Sequence, residues 1–144
     1  MPDNDVILGK IRNIQNCLKR IRNVTNLDPA TLETFDVQDI FVLNVQRAVQ
    51  SAIDLAAHIV ATEGFGLPER LKEYFELLAQ NGILSSQISK QMIAMVGFRN
   101  IAVHDYDGLD VEIMKSVLQS NLIDLEHYYA SILNFYNLSE DQGT

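Results

Sequence analysis

Apolar residues recur along this chain at three- and four-residue steps, and no convincing strand interrupts them. Ile7, Ile11, Ile14, Leu18 and Ile21 step by four, three, four and three, which is one stripe of an amphipathic helix. "NLDP" ends it. A second helix is predicted from about Val37 to Ala61, too apolar on most sides to be peripheral, with one polar seam of Asn44, Arg47, Ser51, Asp54 and His58. "EGFGLP" breaks the pattern, and Pro68 suits the first turn of a third helix carrying Leu71, Phe75 and Leu78. "QNG" stops that helix, with Gly82 as its left-handed cap. "SSQ" opens a fourth, in which Ile88, Met92, Met95 and Val96 lead into "FRNIAVH". After "DYDG", Asp110 is placed to cap a last helix through Val111, Met114, Leu118, Leu122, Leu125, Tyr129, Ile132 and Tyr136. The prediction is all-α: an antiparallel up-and-down bundle of four to five helices, one domain over residues 1–138, with a short frayed tail at 139–144.

Composition agrees with an ordinary globular domain, at 47 % hydrophobic and 21 % charged residues. The oiliest window, "IDLAAHIVA", is too short for a membrane span and carries Asp54 and His58. "MPDNDV" lacks the basic-then-apolar order of a secretion signal. Cys17 is the only cysteine, so an intramolecular disulfide is impossible and a reducing cytoplasm is the natural compartment. The net charge of −8 is unevenly spread. Lys10, Arg12, Lys19, Arg20 and Arg22 put five of the eleven basic residues on the first helix, whereas from Asp105 onward eight acids face Lys115 alone. An acidic chain is repelled by nucleic acid, so any such contact has to be local or shared with a second subunit.

"GFRNIAVHDYDG", residues 97–108, concentrates the chemistry. Arg99 offers a planar fork of donors suited to phosphate oxygens, and His104 titrates near neutrality. On an ideal helix Asn100 and His104 are neighbours, whereas Arg99 and His104, five apart, point roughly 140° away from each other. They converge only if the helix unwinds near His104, or if a second copy supplies the missing partner across a two-fold axis. An extended chain at "DYDG" would place Tyr106 on the His104 side. A 2′-hydroxyl of RNA attacking its own phosphate needs a base, a proton for the leaving oxygen and a cation; one arginine and one histidine per subunit, doubled by symmetry, supply all three. Asn100 is placed to fix the histidine tautomer or hold a phosphate oxygen. The same residues also suit a plainer role, capping carbonyls or pairing with Asp105 and Asp107, and Tyr106 a packing one.

"MVGFRNIAVHDYDGLD" resembles the signature of the HepT-like branch of the HEPN superfamily: arginine, four residues, histidine, one residue, tyrosine. The long helix in "RAVQSAIDLAAHIVATEGFGLP" and the closing helix are also similar to that family. The resemblance implies an all-helical homodimer whose motifs meet in a cleft, acting as a metal-independent endoribonuclease toxin on RNA. It implies Arg99 and His104 as catalytic, Asn100 as supporting, and Tyr106 as acceptor of AMP from a minimal nucleotidyltransferase antitoxin of the MNT type. AMP on Tyr106 would set phosphate charge beside Arg99 and His104 and repel RNA. A different class of function is a non-catalytic module that docks the nucleotidyltransferase; a third is a structural dimer whose motif only caps a helix.

The remaining polar groups are weaker candidates. The seam suits a solvated or interhelical face in which Arg47 and Asp54 each take part in pairing, or a cleft wall to which Arg47 adds charge. Asp54 and His58, four apart, lack the companions a metal site needs, so neither metal nor cofactor is expected. The basic first helix reads as a solvated face that could track phosphates.

Overall fold

The computed structural model describes residues 2–139, so the tail expected at 139–144 lies outside the described residues except for Ser139. Helix α1 spans Asn4–Thr25 and starts where the Asp3 carboxylate accepts the Asp5 N–H at 2.8 Å. It ends at Asn26 and Leu27, both left-handed at φ 49° and 59°. The buried Thr25 hydroxyl holds that turn by donating to the Ile21 carbonyl and accepting the Leu27 N–H. A 3-10 turn at Pro29–Glu33, which the hydrophobic pattern did not predict, then drops Leu32 into the core.

Helix α2, Phe35–Glu63, overruns the predicted span by two residues at each end and stops at Gly64, φ 70°. Helix α3 is Leu71–Gln80. Pro68 is not in its first turn as the sequence predicted: the Glu73 carboxylate accepts the backbone N–H groups of Glu69 and Arg70 and so fixes the start three residues later. Gly82, at φ 78°, is left-handed beyond the C-terminus as expected. Helix α4, Ser86–His104, is capped by the Ser85 hydroxyl accepting from Ile88 N–H at 3.1 Å. A 3-10 turn, Tyr106–Gly108, separates it from the last rod. That rod is not one uniform α-helix: α5, Val111–Ser116, passes through a π-helical turn, Val117–Asn121, into α6, Leu122–Phe135. Consecutive Val117 and Leu118 both face inward at the wide turn, and beyond it Tyr128, rather than the predicted Tyr129, is fully buried.

The bundle is antiparallel. The first residues of α1 meet the end of α2, where the Asp3 N–H donates to His58 Nε2 at 3.0 Å, and one step in, Lys10 pairs with Asp54 at 3.5 Å. α2 runs through the middle, burying Phe41, Val45, Val49, Leu55 and Ile59 among others. Each such side chain contributes about 1.5–3 kcal/mol by leaving water. Tyr128 closes the core from α6, edge-on to Phe75 with centroids 5.6 Å apart, its hydroxyl donating to the Ala52 carbonyl at 2.7 Å. Among the described residues, no helix is long and apolar enough to cross a membrane.

Replacing Tyr128 by Phe keeps the ring and removes one buried hydrogen bond, and the Ala52 carbonyl keeps its place in the α2 ladder. The expected cost is about 1 kcal/mol, seen in urea denaturation as a lower midpoint with an unchanged slope.

Candidate active site

Helix α4 stays wound through His104. The break comes one residue later, at Asp105 (φ −151°, ψ 64°), whose carboxylate folds back over Gly108. A Cβ at residue 108 would meet that carboxylate, the movable end of an exposed side chain, so the contact itself does not demand glycine there. Of the two ways in which Arg99 and His104 were expected to converge, unwinding before His104 is therefore not used. Arg99 shares its side of α4 with the buried Met95, Val96 and Ala102, while His104 projects with Gly97 and Ile101 into solvent. One chain does not bring the arginine and the histidine together.

Arg99 leans onto α2. Its Nη2 donates to Gln50 Oε1 at 2.7 Å and its Nη1 to Asn100 Oδ1 at 3.0 Å; its Nε is buried without a partner. Both acceptors are neutral amides, so the guanidinium is oriented without being neutralised. Gln50 is fixed in turn by its Nε2 donating to Asp54 Oδ1 at 2.9 Å. Asn100 thus supports the arginine; it makes no hydrogen bond to His104, the partner that helical neighbourhood had favoured.

Tyr106 belongs to the 3-10 turn, not to an extended segment, and its hydroxyl donates to Asp39 Oδ1 on α2. Partial burial, this hydrogen bond, and the charges of Asp39 and then Asp107 push the phenol up to about 12. Asp39 and Gln50 stand eleven positions apart on α2, about 16 Å of helix rise. Tyr106 held on Asp39 is therefore well separated from the Arg99 fork, and a phosphate on its oxygen would not lie beside Arg99 in this rotamer. Between these two anchors α2 exposes Leu43 and α4 exposes Val103, at 44 % and 42 %.

The polar seam of α2 is divided. Asn44 is buried and donates to the Ile40 carbonyl, Asp54 pairs with Lys10 and Gln50, and His58 accepts from Asp3. Arg47 does not pair as expected; it is exposed, and no carboxylate lies within ion-pair distance among the described residues. Asp54 and His58 belong to separate contacts, and no group of three or more potential metal ligands gathers among the described residues. Sequence reasoning missed Gln50 and Asp39. Gln50 adjoins the seam residue Ser51, but nothing along the chain tells that Asp39 meets a tyrosine 67 positions later.

The chain is similar to known proteins in sequence and in fold. The family model described as Ribonuclease HepT-like matches residues 14–132. An mRNA nuclease HepT of Shewanella oneidensis is 40 % identical over 125 residues, 87 % of this chain and 94 % of that protein. A tRNA nuclease HepT of Aphanizomenon flos-aquae is 33 % identical over 93 residues, 65 % of this chain and 62 % of that protein. Among solved structures, a tri-AMPylated Shewanella oneidensis HEPN toxin in complex with MNT antitoxin superposes with a TM-score of 0.86 at 39 % identity, covering 92 % of this chain and 99 % of that one.

Asp39→Asn removes both a carboxylate acceptor and its charge from Tyr106. The phenol then titrates lower, back toward 10, because less negative charge opposes its ionisation. A pH titration of ring-labelled tyrosine by NMR reads that shift directly; an unchanged Tyr106 titration would remove Asp39 from the site.

Proposed function

This chain belongs to the HepT-like ribonuclease family, and on that premise we propose that it is a cytoplasmic, metal-independent endoribonuclease toxin, a homodimer silenced when an MNT-type nucleotidyltransferase antitoxin transfers AMP to Tyr106. The observation that carries the reading is Arg99 itself, a guanidinium held in place by the amides of Gln50 and Asn100 with its charge uncompensated. A cation kept ready in this way is what a phosphate in transition needs.

The chemistry divides between two residues and two copies. A histidine takes the proton of an RNA 2′-hydroxyl as the 2′-oxygen bonds to phosphorus. The bond from phosphorus to the 5′-oxygen breaks, and the second histidine protonates that oxygen. Arg99 holds the non-bridging oxygens as their charge grows. The products are a 2′,3′-cyclic phosphate and a free 5′-hydroxyl. Because His104 faces away from its own Arg99, the partner copy completes the site, and the exposed Leu43 and Val103 beside it supply an apolar surface for that contact. The two HepT relatives are named for different RNAs, so the substrate is assigned here as RNA.

Silencing follows from the Asp39 bond. In AMP transfer the Tyr106 oxygen bonds to the α-phosphorus of ATP, pyrophosphate leaves, and Asp39, already accepting the hydroxyl proton, receives it. The new phosphodiester has no proton to donate and is negatively charged, so Asp39, once it has released the proton to water and is again a carboxylate, repels it. Tyr106 swings off α2, carrying its phosphate toward the unpaired guanidinium and into the path of RNA.

Purified protein is expected to cut RNA in excess chelator, with cyclic phosphate ends. Arg99→Ala and His104→Ala should each lose about 10²–10⁴-fold while remaining folded, and Lys72→Ala on the far helix should not change the rate. No cleavage by the wild type, or equal cleavage by both motif variants, would move the protein to the docking-module reading. Leu43→Asp is expected to convert dimer to monomer in analytical ultracentrifugation and to abolish cleavage with helix content intact; a fully active monomer sinks the composite site.

A further inference from the structure

A second polar hollow adjoins the site. It lies between α1 and α2, measures about 390 Å³, and is lined by Asn13, Asn16, Arg20, Arg47, Gln50 and Ser51 over the Cys17 side chain. On α1 the lining residues step by three and four, on α2 by three and one, so the two helices present facing polar stripes. No acid contributes to the lining. That is unusual in a chain of net charge −8.

Two of the cations on α1 are paired with acids. Lys10 is neutralised by Asp54 and Arg22 by Glu126. Arg20 and Arg47 have no ion pair among the described residues, although both are exposed. They line the same hollow from different helices, and both oppose the larger upward push of burial on the Cys17 thiol at its floor. Gln50 is the shared wall: it lines the hollow and holds Arg99 by its carbonyl oxygen. A chain of phosphates lying in the hollow would therefore run directly on to the catalytic arginine.

We propose that the α1–α2 hollow is a binding site for the RNA backbone outside the scissile position, with Arg20 and Arg47 each taking a phosphate and the amides of Asn13 and Asn16 facing sugar and phosphate oxygens. It rests on the ribonuclease reading for the identity of its ligand. It also answers how an acidic protein grips RNA: the chain's net charge is negative, but two unpaired guanidiniums stand beside the arginine that works on the bond. Backbone recognition of this kind carries no base information, so the hollow adds affinity without sequence preference.

The test separates binding from cutting. Affinity for a fluorescent single-stranded RNA is measured by anisotropy across a salt series in dimers carrying His104→Ala, which leaves RNA intact. Adding Arg20→Gln with Arg47→Gln is expected to flatten the log–log salt slope by about 1.4, roughly 0.7 for each phosphate no longer neutralised, which is about 25-fold weaker binding at 0.1 M salt. Lys72→Gln, on the same background, removes one like charge elsewhere and is expected to leave the slope unchanged. Equal slopes in all three proteins overturn the proposal, as does an equal loss with Lys72→Gln, which would mean bulk charge alone. Should wild-type protein fail to cut RNA while the double variant still loses its salt slope, the nuclease reading falls and the hollow stands as an RNA site.

Discussion

Burial of α2 on most of its circumference is the constraint from which the rest follows. Phe41, Val45, Ala48, Val49, Ala52, Leu55, Ala56 and Ile59 commit it to the core, and the alanines let its neighbours approach closely. One strip is left over, and the functional candidates lie on it: Asp39 for Tyr106, Gln50 for Arg99, and Arg47 and Ser51 for the hollow beside α1. A helix so firmly packed is a rigid mount. Side chains anchored to it hold their positions through that packing.

The charge arrangement on this strip is selective. Carboxylates elsewhere neutralise Lys10, Arg22 and Lys115. At Arg99 the acceptors are amides, which give direction but no counter-charge. An arginine paired with a carboxylate would have to break that pair before taking a phosphate. The nearest acid in the network, Asp54, is one residue removed: it fixes Gln50 and is itself shared with Lys10. Tyr106 is treated in the opposite way, its proton held directly by a carboxylate that keeps the phenol neutral and oriented. The arginine remains free to take a charge, and the tyrosine remains ready to receive one.

A single protomer presents this chemistry incomplete. The α-helical pitch sets Arg99 and His104 on different sides of α4, and the helix holds its form through His104 before Asp105 ends it. Under the proposed function, a second copy then becomes part of catalysis. On the same reading, a bulky charged group on Tyr106 needs only to reach the place where two copies would meet.

Helix existence, the order of the elements and the identity of the motif were legible in the chain, because periodicity, caps and spacing are local properties. Ile7 to Ile21 buried as one stripe, "SSQ" opened α4, Asp110 capped where it stood, and Gly82 turned left-handed. Placing Pro68 in a helix failed because a carboxylate five residues on, Glu73, sets the boundary through its own hydrogen bonds. The uniform last helix failed because a π turn is a response to packing that no three-four spacing encodes. Asp39 and Gln50 were invisible for a related reason: their roles exist only once α2 and α4 lie side by side, and residues 67 and 49 positions apart become neighbours. The sequence by itself determined which helices form and which side chains carry reactive groups. Tertiary packing decided which of those groups are paired, which are left charged, and which stand apart from one another on a single chain.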